Sequence, residues 1–404
     1  MIRQGEDDIR SAVSQRDVDP SSAILTSQQL RVAIVSDAIA GRNGVGTYYP
    51  DLIEHLEPSV DSIQLLGPTD PRDRSLEAAW LPMPGDLSQR VVWPRRKELY
   101  RRLDEQDPNL IVIPAIGAFS YFAMRYAERK KIPFVLVNHT NFDQLLSLYW
   151  PDFISKPLGY VLSRVYAMGM RRAAAVAAMN SESLDQARDL GARMVRVMGT
   201  PISPEFIQKP VESRVTEIKR VTFVGRLAAE KGLDHLLEAA KTLRDVEFRI
   251  AGDGPRRSRV ERTAAQHSNV RYLGWLSREN VLREMDETDV LVLPSSVETF
   301  GTVALEALAR RRYVLVRRQC GISKWPAFAE GLFYIEADEP VAAAITRMRD
   351  QSVEQRDSVG RVGWAAVNSF NEYTNRVWLR FMTDAAGLSE AEVGGTDAAK
   401  AATV

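Results

Sequence analysis

Two cations and two carboxylates mark one part of this 404-residue chain: Arg226 and Lys231 in VTFVGRLAAEKGLDHLLEAA, and Glu298 and Glu306 in LVLPSSVETFGTVALEALA. Arg226 and Lys231 offer two fixed positive charges separated by one loop. A helix expected to start near Gly301 turns its free N–H groups toward the same kind of ligand, because a helix N-terminus binds anions. Two cations and a helix N-terminus suit a diphosphate better than a single carboxylate. Glu298 and Glu306 would repel phosphate, but carboxylates accept hydrogen bonds from vicinal hydroxyls, as the acidic residue of a dinucleotide site does from ribose. The pattern asks for a diphosphate between hydroxyl-bearing rings, which describes a nucleotide-sugar.

The elements that must position these groups are strand–loop–helix units. Val221–Val224 and Val290–Leu293 are apolar runs of the buried-strand type. The first is followed by a helical face through Leu233, Leu236, Leu237 and Ala240. Both loops follow the carboxyl end of a strand, where open α/β sheets bind ligands. Arg31–Ser36 is the first core strand. It leads through Asp37 to a loop with Gly41, Gly44 and Gly46 and to a helix over 47–56. Thr47 stands where a Walker A lysine belongs, and Tyr49 where the third glycine of the dinucleotide fingerprint belongs, so neither phosphate motif is present. A further strand, Pro133–Asn138, ends at His139-Thr140-Asn141-Phe142.

Gly225-Arg226, Glu230-Lys231-Gly232, Ala251-Gly252-Asp253-Gly254-Pro255, Leu273-Gly274-Trp275 and the pair Glu298-x7-Glu306 follow one another in that order. In this the chain, from about residue 31 to 384, resembles the family 4 retaining glycosyltransferases of the GT-B fold. It is nearest to members that transfer mannose, glucose or related sugars, often to lipid acceptors, in glycolipid or polysaccharide biosynthesis. The resemblance implies an α/β protein with two Rossmann-like doubly wound domains facing each other across a cleft. It implies an acceptor domain over 31–200, completed by a C-terminal helix at 371–384, a linker over 201–214, and a nucleotide-sugar-binding domain over 215–366. It also implies a division of labour. Gly44, Val45 and Gly46 close over the donor. Gly225, Arg226 and Lys231 meet the diphosphate, and Trp275 and Leu276 hold the base through backbone atoms. Glu298, with Phe300, Gly301 and Thr302 beside it, faces the sugar, and Glu306 holds the ribose. His139 hydrogen-bonds the sugar near the reacting carbon. The catalytic set is then His139, Glu298, Arg226 and Lys231, with front-face attack and the leaving diphosphate taking the acceptor proton.

Cofactor and metal are expected to be none: no Asp-x-Asp stands before a predicted metal loop, so protein cations neutralise the diphosphate. Three departures from the family pattern stand out. Asn141 replaces an Asp; Ala309-Arg310-Arg311-Arg312 replaces a small-Gly-x-Pro turn; Arg317-Arg318-Gln319-Cys320-Gly321 replaces a Gly-Gly loop. The arginines at 310–312 are expected to complement a helix C-terminus. The last departure leaves room for a different class of function, a catalytically inactive relative that binds a nucleotide-sugar or a partner without turnover.

Composition is that of an ordinary folded protein, 45% hydrophobic and 26% charged. A net charge of +0 gives no footprint for nucleic acid. The single cysteine, Cys320, excludes an intrachain disulfide and suits a reducing compartment. The expected setting is cytoplasmic, with peripheral contact at the inner face of a membrane left open and a lipid or saccharide as acceptor. Residues 1–30 and 385–404 read as a loosely ordered extension and a disordered tail. Residues 61–85 read as loop-rich, 94–103 as a basic helix with a solvated face, and 150–176 as a packed helix with a basic edge.

Overall fold

The computed structural model describes residues 27–39, 44–68, 74–83, 86–114, 117–138, 152–209, 211 and 215–388. The first domain runs β1 (Arg31–Val35), α1 (Gly44–Leu56), β2 (Ser62–Leu66), β3 (Glu77–Met83), β4 (Asp86–Pro94), α2 (Arg96–Gln106), β5 (Leu110–Ile113), α3 (Ala118–Lys130), β6 (Phe134–Asn138), α4 (Asp152–Arg172), β7 (Ala175–Ala178), α5 (Ser181–Asp189) and β8 (Val195–Val197). After α6 (Pro204–Gln208) the second domain runs β9 (Arg220–Val224), α7 (Leu233–Thr242), β10 (Glu247–Ala251), α8 (Arg257–Gln266), β11 (Val270–Gly274), α9 (Arg278–Glu287), β12 (Val290–Leu293), α10 (Thr302–Ala309), β13 (Tyr313–Arg317), β14 (Phe333–Ile335) and α11 (Val341–Arg349). The long α12 (Val353–Ala385) closes the described chain.

Each domain holds one parallel sheet, ordered β2-β1-β5-β6-β7-β8 and β11-β10-β9-β12-β13-β14. The strands are near-continuous Val/Ile/Leu/Ala runs because helices cover both faces; β5, β6, β7 and β12 are buried at every position. In each sheet the chain leaves its first strand in one direction and later returns to that strand's other side. The crevices at these reversals, β1/β5 and β9/β12, are where such sheets bind ligands.

Several boundaries differ from expectation. Residues 61–85 contain β2 and β3, and β3 pairs with β4 as a separate antiparallel ribbon. Proline masked it: Pro82 lies inside β3, tolerated because in a two-stranded ribbon each strand keeps a free edge. Leu30 is fully buried in the first core, so order begins before residue 31. Where it is described, the 201–214 linker is packed: Ile202 and Phe206 are fully buried. The C-terminal helix expected at 371–384 is the last part of the unbroken α12, capped by a Ser352/Gln355 capping box. The first half of α12 packs on the second domain, where Gly363 lies against Leu308 and the Gly331 carbonyl. Its second half packs on the first domain through Trp378, Phe381 and Met382. Arg310 serves not the end of its own helix but the C-terminal turn of α6. It is buried, forks onto Asp286 (2.7 and 3.0 Å) and donates to the carbonyls of Phe206 (3.3 Å) and Lys209 (2.6 Å), fixing the crossing segment. Helix α5 is capped by Asn180. The basic helix α2 buries Leu99 and Leu103 and pairs Arg101 with Glu98 and Glu105 on its outer face.

Candidate functional site

The loops after β9 and β12 form one unit. Glycine backbones make this possible. Gly252 has φ +138°, and a Cβ there would lie 1.9 Å from the Gly225 carbonyl oxygen; Gly232 has φ +68°, and its Cβ would lie 2.1 Å from the Pro294 carbonyl oxygen. Gly225 N donates to Ala251 O (3.1 Å) and Leu227 N to Asp253 O (2.9 Å), which ties the AGDGP turn to the Gly225-Arg226 loop. Ser296 N donates to Glu230 O (2.9 Å), which ties that loop to the one after β12. Residues far apart in sequence therefore meet: Lys231 Nζ is 2.7 Å from Glu298 Oε2. Arg226 pairs with the buried Glu230. Both predicted diphosphate cations thus already hold a carboxylate, and an anion entering here must share or displace it.

Helix α10 begins after Gly301, at φ +92°, so its N-cap carries no side chain of its own. Beneath it runs the segment that lacks a Gly-Gly loop. A single glycine suffices there: a Cβ on Gly321 would lie 1.8 Å from Thr299 O, while Gly321 N donates to Glu298 O (3.0 Å) and Ile322 N to Phe300 O (2.7 Å). Cys320 fills the remaining space, fully buried, its thiol pushed up to about 12 by burial and by Glu298. A thiol so protonated is an inert packing group. Phe300 is buried against Trp325 and Phe370, with ring centroids 6.1 and 5.7 Å away. Across the cleft, Asn180 Nδ2 of the first domain reaches Thr299 O at 3.5 Å.

Glu306, in the second turn of α10, is buried and holds Arg278, the first residue of α9. Arg278 also holds Asp51 of α1, in the other domain, and lies over the Phe206 ring at 5.0 Å. Burial pushes the Asp51 carboxyl up to about 8; Arg278 opposes this and Glu306 and Glu54 add to it. Burial alone would lower Arg278, but Glu306 and Asp51 outweigh it and hold the guanidinium above its ordinary value. Sequence reading singled out neither Arg278 nor Asp51. Signals existed: an arginine in a helix's first turn opposes the macrodipole, and Asp51 interrupts the apolar face formed by Tyr48, Tyr49 and Leu52.

Ser277 caps α9, so Arg278 connects the Glu306 pocket with the half-exposed Trp275 and the partly buried Leu276 just before it. Thr302 opens α10. On the first domain, Gly44, Val45 and Gly46 form the first turn of α1. A Cβ on Gly44 would meet nothing within 4 Å among the described residues, so none of them requires glycine there. His139 and Asn141 lie outside the described residues. Among the described residues no cluster of His, Cys, Asp or Glu is placed to hold a metal ion.

At the matching crevice of the first sheet a carboxylate of the chain meets the helix N-terminus. Asp37, just after β1, accepts from Phe119 N (2.8 Å) and Ser120 N (3.0 Å), capping α3 across the gap. A Cβ on Gly117 would lie 2.4 Å from the Asp37 carboxyl carbon. Burial raises this carboxyl against the opposing hydrogen bonds from Ser120 and Phe119.

Comparison with known proteins agrees with this architecture. The family description "Glycosyltransferase Family 4" matches residues 42–206 and "Glycosyl transferases group 1" matches residues 205–361. The alpha-D-kanosaminyltransferase of Streptomyces kanamyceticus is 28% identical over 227 residues, 52% of this chain and 58% of that protein. The chain spans about half the length of the curated relatives it matches. Among solved structures, sucrose-phosphate synthase from Thermosynechococcus elongatus superposes with a TM-score of 0.66 at 16% identity, over 88% of this chain and 100% of that one. Anabaena HepE in complex with UDP and glucose gives 0.59 at 15% identity, over 87% and 99%. With a family 4 module in its first half and a group 1 module in its second, the chain belongs to the GT-B glycosyltransferases.

Proposed function

We propose that this protein is a retaining glycosyltransferase that moves a hexose from a UDP- or GDP-sugar to a lipid or saccharide acceptor. One observation carries the proposal: the loops at the β9/β12 crevice gather Arg226, Lys231, Glu298 and the start of α10 in one place. UDP in the similar HepE structure supports a uridine donor. The diphosphate takes over Arg226 and Lys231 from their carboxylates, and those cations with the α10 N–H groups stabilise the leaving group without a metal. Freed from Lys231, Glu298 turns to the sugar hydroxyls, while Glu306 accepts from the ribose. His139 is assigned to the sugar on the strength of the family resemblance. The acceptor enters from the first domain. If it is a lipid, the exposed Leu81, Val91 and Trp93, which share one face of the β3–β4 ribbon, offer an apolar surface for peripheral membrane contact. No helix among the described residues is long and apolar enough to cross a membrane.

The test is a thermal-shift screen with UDP, GDP and ADP, followed by incubation with the matching radiolabelled nucleotide-sugar. A nucleotide at a hundredfold its dissociation constant stabilises by about 2.7 kcal/mol. Stabilisation together with slow hydrolysis or transfer of label supports the enzyme. Binding without any turnover, with acceptor extracts present, would make the protein a non-catalytic nucleotide-sugar binder.

A further inference from the structure

Helix α1 opens with Gly44–Gly46 and runs along the junction of the two domains. Four of its side chains are tied there. Tyr48 Oη donates to Gly199 O (2.8 Å), His55 Nε2 to Ile202 O (2.7 Å), and Glu54 Oε2 accepts from Ser203 Oγ (3.2 Å). These three contacts reach the crossing segment. The fourth, from Asp51, reaches Arg278 of the second domain, and Arg278 is shared. One end of its fork holds Asp51 and the other holds Glu306. The two carboxylates are only 7% and 5% exposed, so neither can turn freely to water when its share of the guanidinium is withdrawn. Hydroxyls that donate to Glu306 compete with Arg278 for the same oxygens. What Glu306 gives up, Asp51 is placed to take.

Resting on the assignment of Glu306 to ribose, we propose that Arg278 is a positioning residue that passes occupancy of the ribose site to α1. Donor binding loosens Arg278 from Glu306 and tightens it on Asp51, which draws the first turn of α1, Gly44–Gly46, against the donor domain. The groups facing Asp51 are Arg278, Glu306 and Glu54, and burial keeps its carboxyl near 8. A larger share of Arg278 favours its ionisation, so donor binding releases a proton as the contact tightens.

Calorimetry on the full chain tests this with UDP, GDP and ADP as probes, on wild type, Asp51→Ala, Asp51→Asn, Arg278→Ala and the Asp51→Ala/Arg278→Ala pair. Asp51→Ala is expected to weaken the best nucleotide about tenfold, as coupled neighbours do. Asp51→Asn, which keeps an oxygen acceptor, weakens it less and decides the question if the alanine variant does not fold. In the Arg278→Ala background Asp51→Ala has no further effect on affinity. Wild-type binding enthalpy near neutral pH follows the buffer's ionisation enthalpy, and Asp51→Asn loses that dependence. A merely structural contact would lower the melting temperature and leave affinity and proton release alone. That outcome overturns the coupling while the donor assignment stands. If none of the three nucleotides binds wild type, the donor assignment falls and the coupling falls with it.

Discussion

Two crevices occupy the same topological position in the two sheets, and their loops are built in opposite ways. At β9/β12 the loops present Arg226 and Lys231, and the helix beyond starts at a glycine that has no side chain to cap it. At β1/β5 the helix beyond also starts at a glycine, Gly117, but Asp37 supplies the missing cap from the neighbouring loop. Duplicated architecture therefore offers two anion sites, and one carboxylate after β1 removes the first. A helix N-terminus binds a ligand anion only if the protein has not already provided its own. The nucleotide assignment to the second domain rests on this contrast as much as on the cations.

Removing the cations should break the contrast most severely. Arg226→Ala and Lys231→Ala are each expected to lower turnover on the order of a hundredfold, the usual loss for one donor to a developing oxyanion. Melting temperature should move far less, and near-wild-type turnover in both variants would sink the diphosphate assignment. The first crevice should respond in the reverse sense. Asp37→Ala strips α3 of three hydrogen bonds, from Phe119 N, Ser120 N and Ser120 Oγ, and should cost about 1–3 kcal/mol by denaturant unfolding. Its affinity for nucleotide should stay unchanged, and a clear weakening would mean that the first crevice takes part in donor binding after all.

The two glutamates sharpen the picture within the second crevice. Glu306→Gln should weaken nucleoside diphosphate by about tenfold, or ~1.4 kcal/mol, whereas Glu298→Gln should bind it nearly as wild type and lose turnover. Equal loss of affinity in a calorimetric comparison would reject that division.

Much of this was legible in sequence, and the reasons are physical. The parallel strands announce themselves as short apolar runs because they are buried on both faces, and the ligand loops as glycines at fixed offsets because backbones must touch there. The 1.9 Å that a Cβ on Gly252 would leave to Gly225 O is why that glycine stands where it does. Other parts were hidden. The β3–β4 ribbon is punctuated by prolines that only edge strands tolerate. The first half of α12 carries Gly360 and Gly363, a residue type that weakens a helix interior, yet Gly363 is needed so that the helix can lie on Leu308 and Gly331. Arg278 and Asp51 are 227 residues apart, and no local pattern connects them.

That last pair tests the junction between the two regions rather than either crevice, and it does so through pH. Asp51 is buried, its folded-state carboxyl is pushed up to about 8, and an unfolded Asp titrates near 3.8. Between these values the folded protein binds the proton more tightly than the unfolded chain does. The stability this gives is therefore complete below about pH 4 and is lost progressively as pH rises through about 8. Asparagine cannot titrate, so the melting temperature of wild type relative to Asp51→Asn should fall steadily over that window and level off above it. The decline should be shallower with saturating nucleotide, because an Arg278 released from Glu306 lowers the cost of a charged Asp51. A flat difference across pH 4–8 without ligand would mean that Asp51 stays ionised throughout, held by Arg278 against its burial, and that no proton is available to leave when donor binds.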